Sequence, residues 1–185
     1  MFCKGSPGGY EGAHAYRGAF MDRLILFRHG KARTESDSGD DFDRKLADRG
    51  RRESADTARK LGDMGLIPDF VLVSSAARTR ETWECAAPHF PAARASFEDA
   101  LYHAASGDIR RCAEGAGEAG GAVMVVGHNP GLQELTLGLL IEGSAPASLI
   151  ERVQRQFPTA TAAVFLFDHA GKPAYDGLFF PERGY

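Results

Sequence analysis

The chain has 185 residues, enough for one domain with a substantial core. Its 43% apolar and 25% charged residues are ordinary for a globular protein. A net charge of −3 excludes an overall basic field that would recruit nucleic acid.

The first twenty residues are Gly-rich and lack the apolar centre of a signal peptide. They read either as a disordered extension or as residues ahead of a natural start at Met21, with a single domain over 21–185. LILF at 24–27 is a buried run, and 23–28 reads as the first strand. Residues 33–45 are polar, without period, and read as a loop. Asp48 then caps a helix whose Ala55, Ala58, Leu61 and Met64 recur at helical spacing. Gly65 stops it. FVLV at 70–73 is a second buried strand, and a helix follows over 77–87. Residues 95–98 read as a short strand. Ile109, Cys112, Ala113 and Ala116 share one face of a helix over 107–117. AVMVV at 122–126 is a third strong strand. Leu132, Leu135 and Leu139 line the helix after it, and 147–156 reads as one more. AAVFLF at 162–167 and GLFF at 177–180 close the chain as strands. This alternation predicts a three-layer α/β/α domain around a largely parallel sheet of five or six strands.

No stretch approaches the ~18 consecutive apolar residues of a membrane span, so no membrane partner is expected. Cys3, Cys85 and Cys112 form no CxxC pair, which favours a reducing, cytoplasmic setting over a disulfide framework.

Ligands of open α/β sheets sit beyond the carboxyl ends of the strands. Arg28, His29 and Gly30 follow the first strand there. Arg78 opens the helix after the second, and His128 and Asn129 follow the third. Two arginines and two histidines, with no carboxylate among them, make a cationic cup suited to a phosphoryl dianion. His14, His89, His103 and His169 carry no such context and read as ordinary exposed or structural residues.

RHG after the first strand, SxAxRTxET after the second and GHNPG after the third resemble the histidine phosphatase superfamily. So do Asp41–Glu53 (DxDRKLADRGRRE) and Leu101–Tyr102, which look most like its SixA-like phosphohistidine phosphatase branch. The resemblance implies a phosphoglycerate-mutase-like fold and a phosphatase. His29 would be its nucleophile, forming a covalent phosphohistidine that water hydrolyses. The residue type agrees, because neutral imidazole is abundant at pH 7 and nearby arginines disfavour imidazolium. Gly30 would let the chain bend beside the phosphate. Arg28 and Arg78 would grip phosphoryl oxygens with planar, permanent cations. His128 would donate to another oxygen, as imidazolium beside a bound dianion, with help from the main chain at Asn129. These groups make a metal or other cofactor unnecessary.

The acid phosphatases of the superfamily place a carboxylate directly after the second catalytic histidine, where this chain has Asn129. Glu98, Asp99 and Asp108 are the remaining candidates for a general acid, none in a recognisable motif. An alkoxide leaves poorly without a proton, whereas the imidazole of phosphohistidine leaves readily. The expected partner is therefore a phosphohistidine-bearing signalling or phosphotransfer protein. A small phosphorylated metabolite is the alternative substrate, and a non-catalytic phosphate-binding module the alternative function.

Overall fold

The structure is a computed structural model that describes residues 21–119 and 121–181. The extension expected over 1–20 lies outside the described residues. Six strands form one sheet: β1 (Met21–Arg28), β2 (Phe70–Ser74), β3 (Arg94–Glu98), β4 (Gly121–Gly127), β5 (Ala162–Phe167) and β6 (Pro173–Phe179), in the order β3-β2-β4-β1-β5-β6. The first four in that order are parallel. At one side β5 pairs antiparallel with β1, and β6 pairs antiparallel with β5.

Strand residues alternate between the two faces. Leu24, Leu26, Val123 and Val125 pack beneath α3 (Ser106–Ala116), α4 (Gly131–Glu142) and α5 (Ala147–Arg155). Ile25, Phe27, Val71, Val73, Met124 and Val126 pack on the other face, against α1 (Asp48–Asp63) and α2 (Ala77–Ala86). The result is the three-layer α/β/α sandwich expected from the alternating elements. Among the described residues, no helix is long and apolar enough to cross a membrane.

Three local readings change. Asp48 is the first residue of α1 and not its cap. Ala47 holds the cap position without a side-chain bond, so the Asp48 carboxylate acts on the helix dipole instead. β6 begins at Pro173, four residues before the predicted start, and a tight turn joins it to β5. Asp168 Oδ1 accepts there from the main-chain N–H groups of Ala170 and Lys172, both at 2.9 Å. Gly30 is required by packing rather than by a bend beside phosphate. A Cβ there would meet Ser54 Oγ and come within 2.5 Å of the Gly50 carbonyl oxygen. Reciprocally, a Cβ on Gly50 would come within 2.6 Å of Lys31 N. Two glycines thus let the first turn of α1 press main chain to main chain against the segment following β1.

That contact organises the loop after β1. Ala32 and Leu46 form an antiparallel bridge, and Ala47 N–H donates to Lys31 O at 2.8 Å. The Leu46 N–H reaches Glu81 Oε2 of α2 at 2.6 Å. Residues 33–45 are therefore folded back against α2, and their 3-10 turn at Asp41–Asp43 meets Arg78 near the start of that helix.

Candidate active site

β1 and β4 stay zipped to their ends, where the His29 N–H donates to Gly127 O at 3.0 Å. This parallel pairing sets His29 and His128 side by side, with ring centroids 5.1 Å apart. The Gly30 N–H donates to Thr82 Oγ1 of α2 at 3.0 Å, tying the RHG turn to the helix that carries Arg78.

His29 Nδ1 lies 2.7 Å from the Gly30 carbonyl oxygen. A carbonyl can only accept, so Nδ1 carries the hydrogen and Nε2 keeps its lone pair. Burial, more than any charge, pushes His29 down to about pKa 3. The Gly30 carbonyl acts in the opposite sense, and Arg78, Arg28 and Arg44 add to the depression. Arginine proximity was the expected cause, yet desolvation is the larger one. His128 is pushed down to about 2, again first by burial and then by His29, Arg78 and His103, with Asp41 opposing. Both imidazoles are neutral at pH 7. His128 Nε2 lies 2.8 Å from Ser74 Oγ at the end of β2, while its Nδ1 is buried with no protein partner.

Arg28 Nη1 donates to Phe157 O at 2.5 Å, and Asn129 Nδ2 donates to the same oxygen at 3.2 Å. Asn129 Nδ2 also donates to Gln133 Oε1 at 3.0 Å. Its Nδ2 is thus committed to α4 and to the loop before β5. Among the described residues, six buried polar side-chain atoms lack a hydrogen-bond partner. Three of the six are Arg28 Nε, His128 Nδ1 and Asn129 Oδ1. Native proteins rarely leave such atoms unpaired, so their concentration in one place marks a site built for a polar ligand.

The sequence reading missed a carboxylate here. Asp41 Oδ2 accepts from Arg78 Nη2 at 2.9 Å and from the Tyr102 hydroxyl at 3.0 Å. Its Oδ1 accepts from Arg44 Nη1 at 2.7 Å, and its main-chain oxygen accepts from Arg78 Nη1 at 2.6 Å. Burial would raise Asp41, but Arg44, Tyr102 and Arg78 together hold it at about 2. The cup is therefore not purely cationic. Arg78, itself buried, is clamped by an ionised aspartate, with three of its five N–H donors uncommitted to that residue. No periodicity distinguishes Asp41 from Asp40 or Asp43, and only the folded-back loop singles it out.

The three sequence candidates for a general acid do not join this cluster. Asp99 accepts from the Ser75 hydroxyl. Asp108 pairs with Arg111 on an exposed turn of α3. Glu98 ends β3, opposite Ser74 in register.

The profile of the histidine phosphatase superfamily, branch 1, matches residues 24–102, which span His29, Asp41 and Arg78. An uncharacterized protein of Mycobacterium tuberculosis is 34% identical over 137 residues, 74% of this chain and 84% of its own length. This chain belongs to the histidine phosphatase superfamily. Among solved structures it is similar to a SixA protein of Agrobacterium tumefaciens, provisionally designated a phosphohistidine phosphatase. That likeness has a TM-score of 0.76 at 28% identity and covers 88% of this chain and 99% of the other. The phosphoglycerate mutase of Plasmodium falciparum shares the fold, with a TM-score of 0.56 at 19% identity over 88% of this chain and 97% of its own. This histidine phosphatase superfamily member thus has a SixA-like structure on a phosphoglycerate-mutase-like fold.

The depressed histidines set a pH dependence of stability. Between about pH 3 and 6.5 the unfolded chain binds protons at positions 29 and 128 that the folded chain refuses, so stability rises with pH through that window. Asp41 shifts in the same direction for a different reason, held down by Arg44, Tyr102 and Arg78 rather than by burial. Its folded value lies below its unfolded one, so its contribution is intact above about pH 4 and is lost as pH falls toward 2. From pH 7 to 5 the histidines alone among these three act. Urea unfolding should show lower stability at pH 5 than at pH 7, with a smaller drop in a His29→Asn, His128→Asn double variant. An equal drop in both proteins contradicts the assignment.

Proposed function

We propose that this protein is a phosphatase that removes the phosphoryl group from phosphohistidine on a partner protein, through a covalent phosphohistidine on its own His29. One observation carries the reading: His29 Nδ1 is anchored on Gly30 O at 2.7 Å, which keeps Nε2 unprotonated beside two arginines. Nε2 would attack phosphorus as the P–N bond of the substrate breaks, and water would then release phosphate from His29. Arg28 and the uncommitted edge of Arg78 would hold the equatorial oxygens. If the Ser74 hydroxyl donates to His128 Nε2, the proton of His128 sits on Nδ1, aimed at an acceptor. A neutral imidazole N–H suffices for that contact. Such a site supplies positioning and charge, the two things phosphoryl transfer needs most, with no call for a metal ion.

The choice of substrate rests on the missing carboxylic acid. Asp41 is the carboxylate paired with Arg78, and at about pKa 2 it has no proton to give. Alkoxides need that proton, and imidazole needs it far less. The likeness to the Agrobacterium tumefaciens protein supports the same substrate class. A panel of phosphohistidine peptide, sugar phosphates and phosphoserine peptide tests the reading. The kcat/KM for the phosphohistidine peptide should exceed the others by at least about a hundredfold. Equal rates would contradict it and favour a small-molecule phosphomonoesterase.

A further inference from the structure

Beside the cup lies a histidine that neither the motifs nor the mechanism above employs. His103 is exposed, and its main chain is in the left-handed region at φ 54°, an uncommon conformation outside glycine that tends to gather at functional sites. Its ring lies 4.2 Å from that of Tyr102 and 6.1 Å from that of His128, nearly parallel to the latter at 24°. Tyr102 is tied to the site by its hydroxyl on Asp41 and by its ring, 5.7 Å from the Arg78 guanidinium carbon. His103 makes no hydrogen bond to any described residue, so both ring nitrogens are available. It thus stands at the solvent side of the cup, where a leaving group carried by a protein must emerge.

We infer that His103 is the general acid for the leaving imidazole, donating to the ring nitrogen of substrate phosphohistidine that is not bonded to phosphorus. The inference rests on the phosphohistidine reading given above. Phosphohistidine differs from an ester in where its proton must arrive. An ester takes it on the bridging oxygen, bonded directly to phosphorus. A phosphoimidazole takes it on the far nitrogen, one ring width further out, which suits a donor at the rim rather than in the floor of the cup.

The step balances. The His103 proton moves to the far nitrogen and the P–N electron pair returns to the substrate ring, which departs as neutral imidazole. Phosphorus bonds to His29 Nε2. In the second half, His103, now neutral, takes a proton from the attacking water while the P–Nε2 electron pair returns to His29.

Kinetics of native protein, His103→Asn and Glu98→Gln test the assignment, using a phosphohistidine peptide and p-nitrophenyl phosphate. Nitrophenolate leaves without a proton, and asparagine tolerates the left-handed main chain. His103→Asn should lower kcat/KM for the phosphohistidine peptide by roughly a hundredfold and exceed its loss on p-nitrophenyl phosphate by at least about tenfold. Glu98→Gln should move both substrates alike. An equal loss on both substrates in His103→Asn would reduce His103 to a structural part, and a selective loss in Glu98→Gln would move the role to Glu98. Either result overturns the inference. Native protein that turns over p-nitrophenyl phosphate but not the phosphohistidine peptide would instead overturn the substrate reading beneath it.

Discussion

Replacing His29 with alanine should lower turnover of a phosphohistidine peptide by at least about a thousandfold, because no other group in the cup can accept the phosphoryl unit. His128 is the nearest substitute. Its Nε2 is engaged with Ser74 at 2.8 Å, and its Nδ1 has the geometry of a donor when the serine hydroxyl donates. Phosphate binding should survive in His29→Ala, since Arg28, Arg78 and His128 remain. Steady-state kinetics with inorganic phosphate as competitive inhibitor measures both. Turnover within tenfold of native would remove His29 as nucleophile.

Replacing Arg78 with lysine should reduce kcat/KM by roughly a hundredfold despite the preserved charge. The guanidinium meets the Asp41 main-chain oxygen at 2.6 Å and its carboxylate at 2.9 Å with two different nitrogens, and still has donors to spare. A lysine ammonium is a single point that cannot hold Asp41 and span two phosphoryl oxygens at once. Arg78→Ala should do more harm, because the Asp41 carboxylate would lose a partner that is itself buried and the 3-10 turn at 41–43 would lose its anchor. Thermal unfolding of the two variants separates the effects, with alanine lowering Tm more than lysine. Full activity in Arg78→Lys would show that charge alone matters at this position.

The fold was legible because its buried strands are contiguous apolar runs. LILF, FVLV and AVMVV lie in the middle of the sheet, covered on both faces, so hydrophobicity alone marks them. The first half of β6 was not legible, because Ala174, Tyr175 and Asp176 are exposed on an edge strand and carry no such signal. Positions 28, 29, 78 and 128 could be picked out since each ends or directly follows a parallel strand or opens the helix after it, and strand direction fixes where those junctions meet. Asp41 could not be. It stands in a polar loop 37 residues before Arg78, and its place depends on the Ala32–Leu46 bridge and the close approach of Gly30 to Gly50. In the sequence His103 is one exposed or structural histidine among several. Only its ring contacts and left-handed main chain set it apart.

Rapid mixing of the protein with a ³²P-labelled phosphohistidine peptide, quenched within milliseconds into alkaline denaturant that preserves N-linked phosphate, addresses the covalent step most directly. The account predicts label on the protein that appears and decays within one turnover, maps to the peptide containing position 29, and is missing in His29→Ala. Turnover with no protein-bound label at any quench time, or label that persists in His29→Ala, would contradict it.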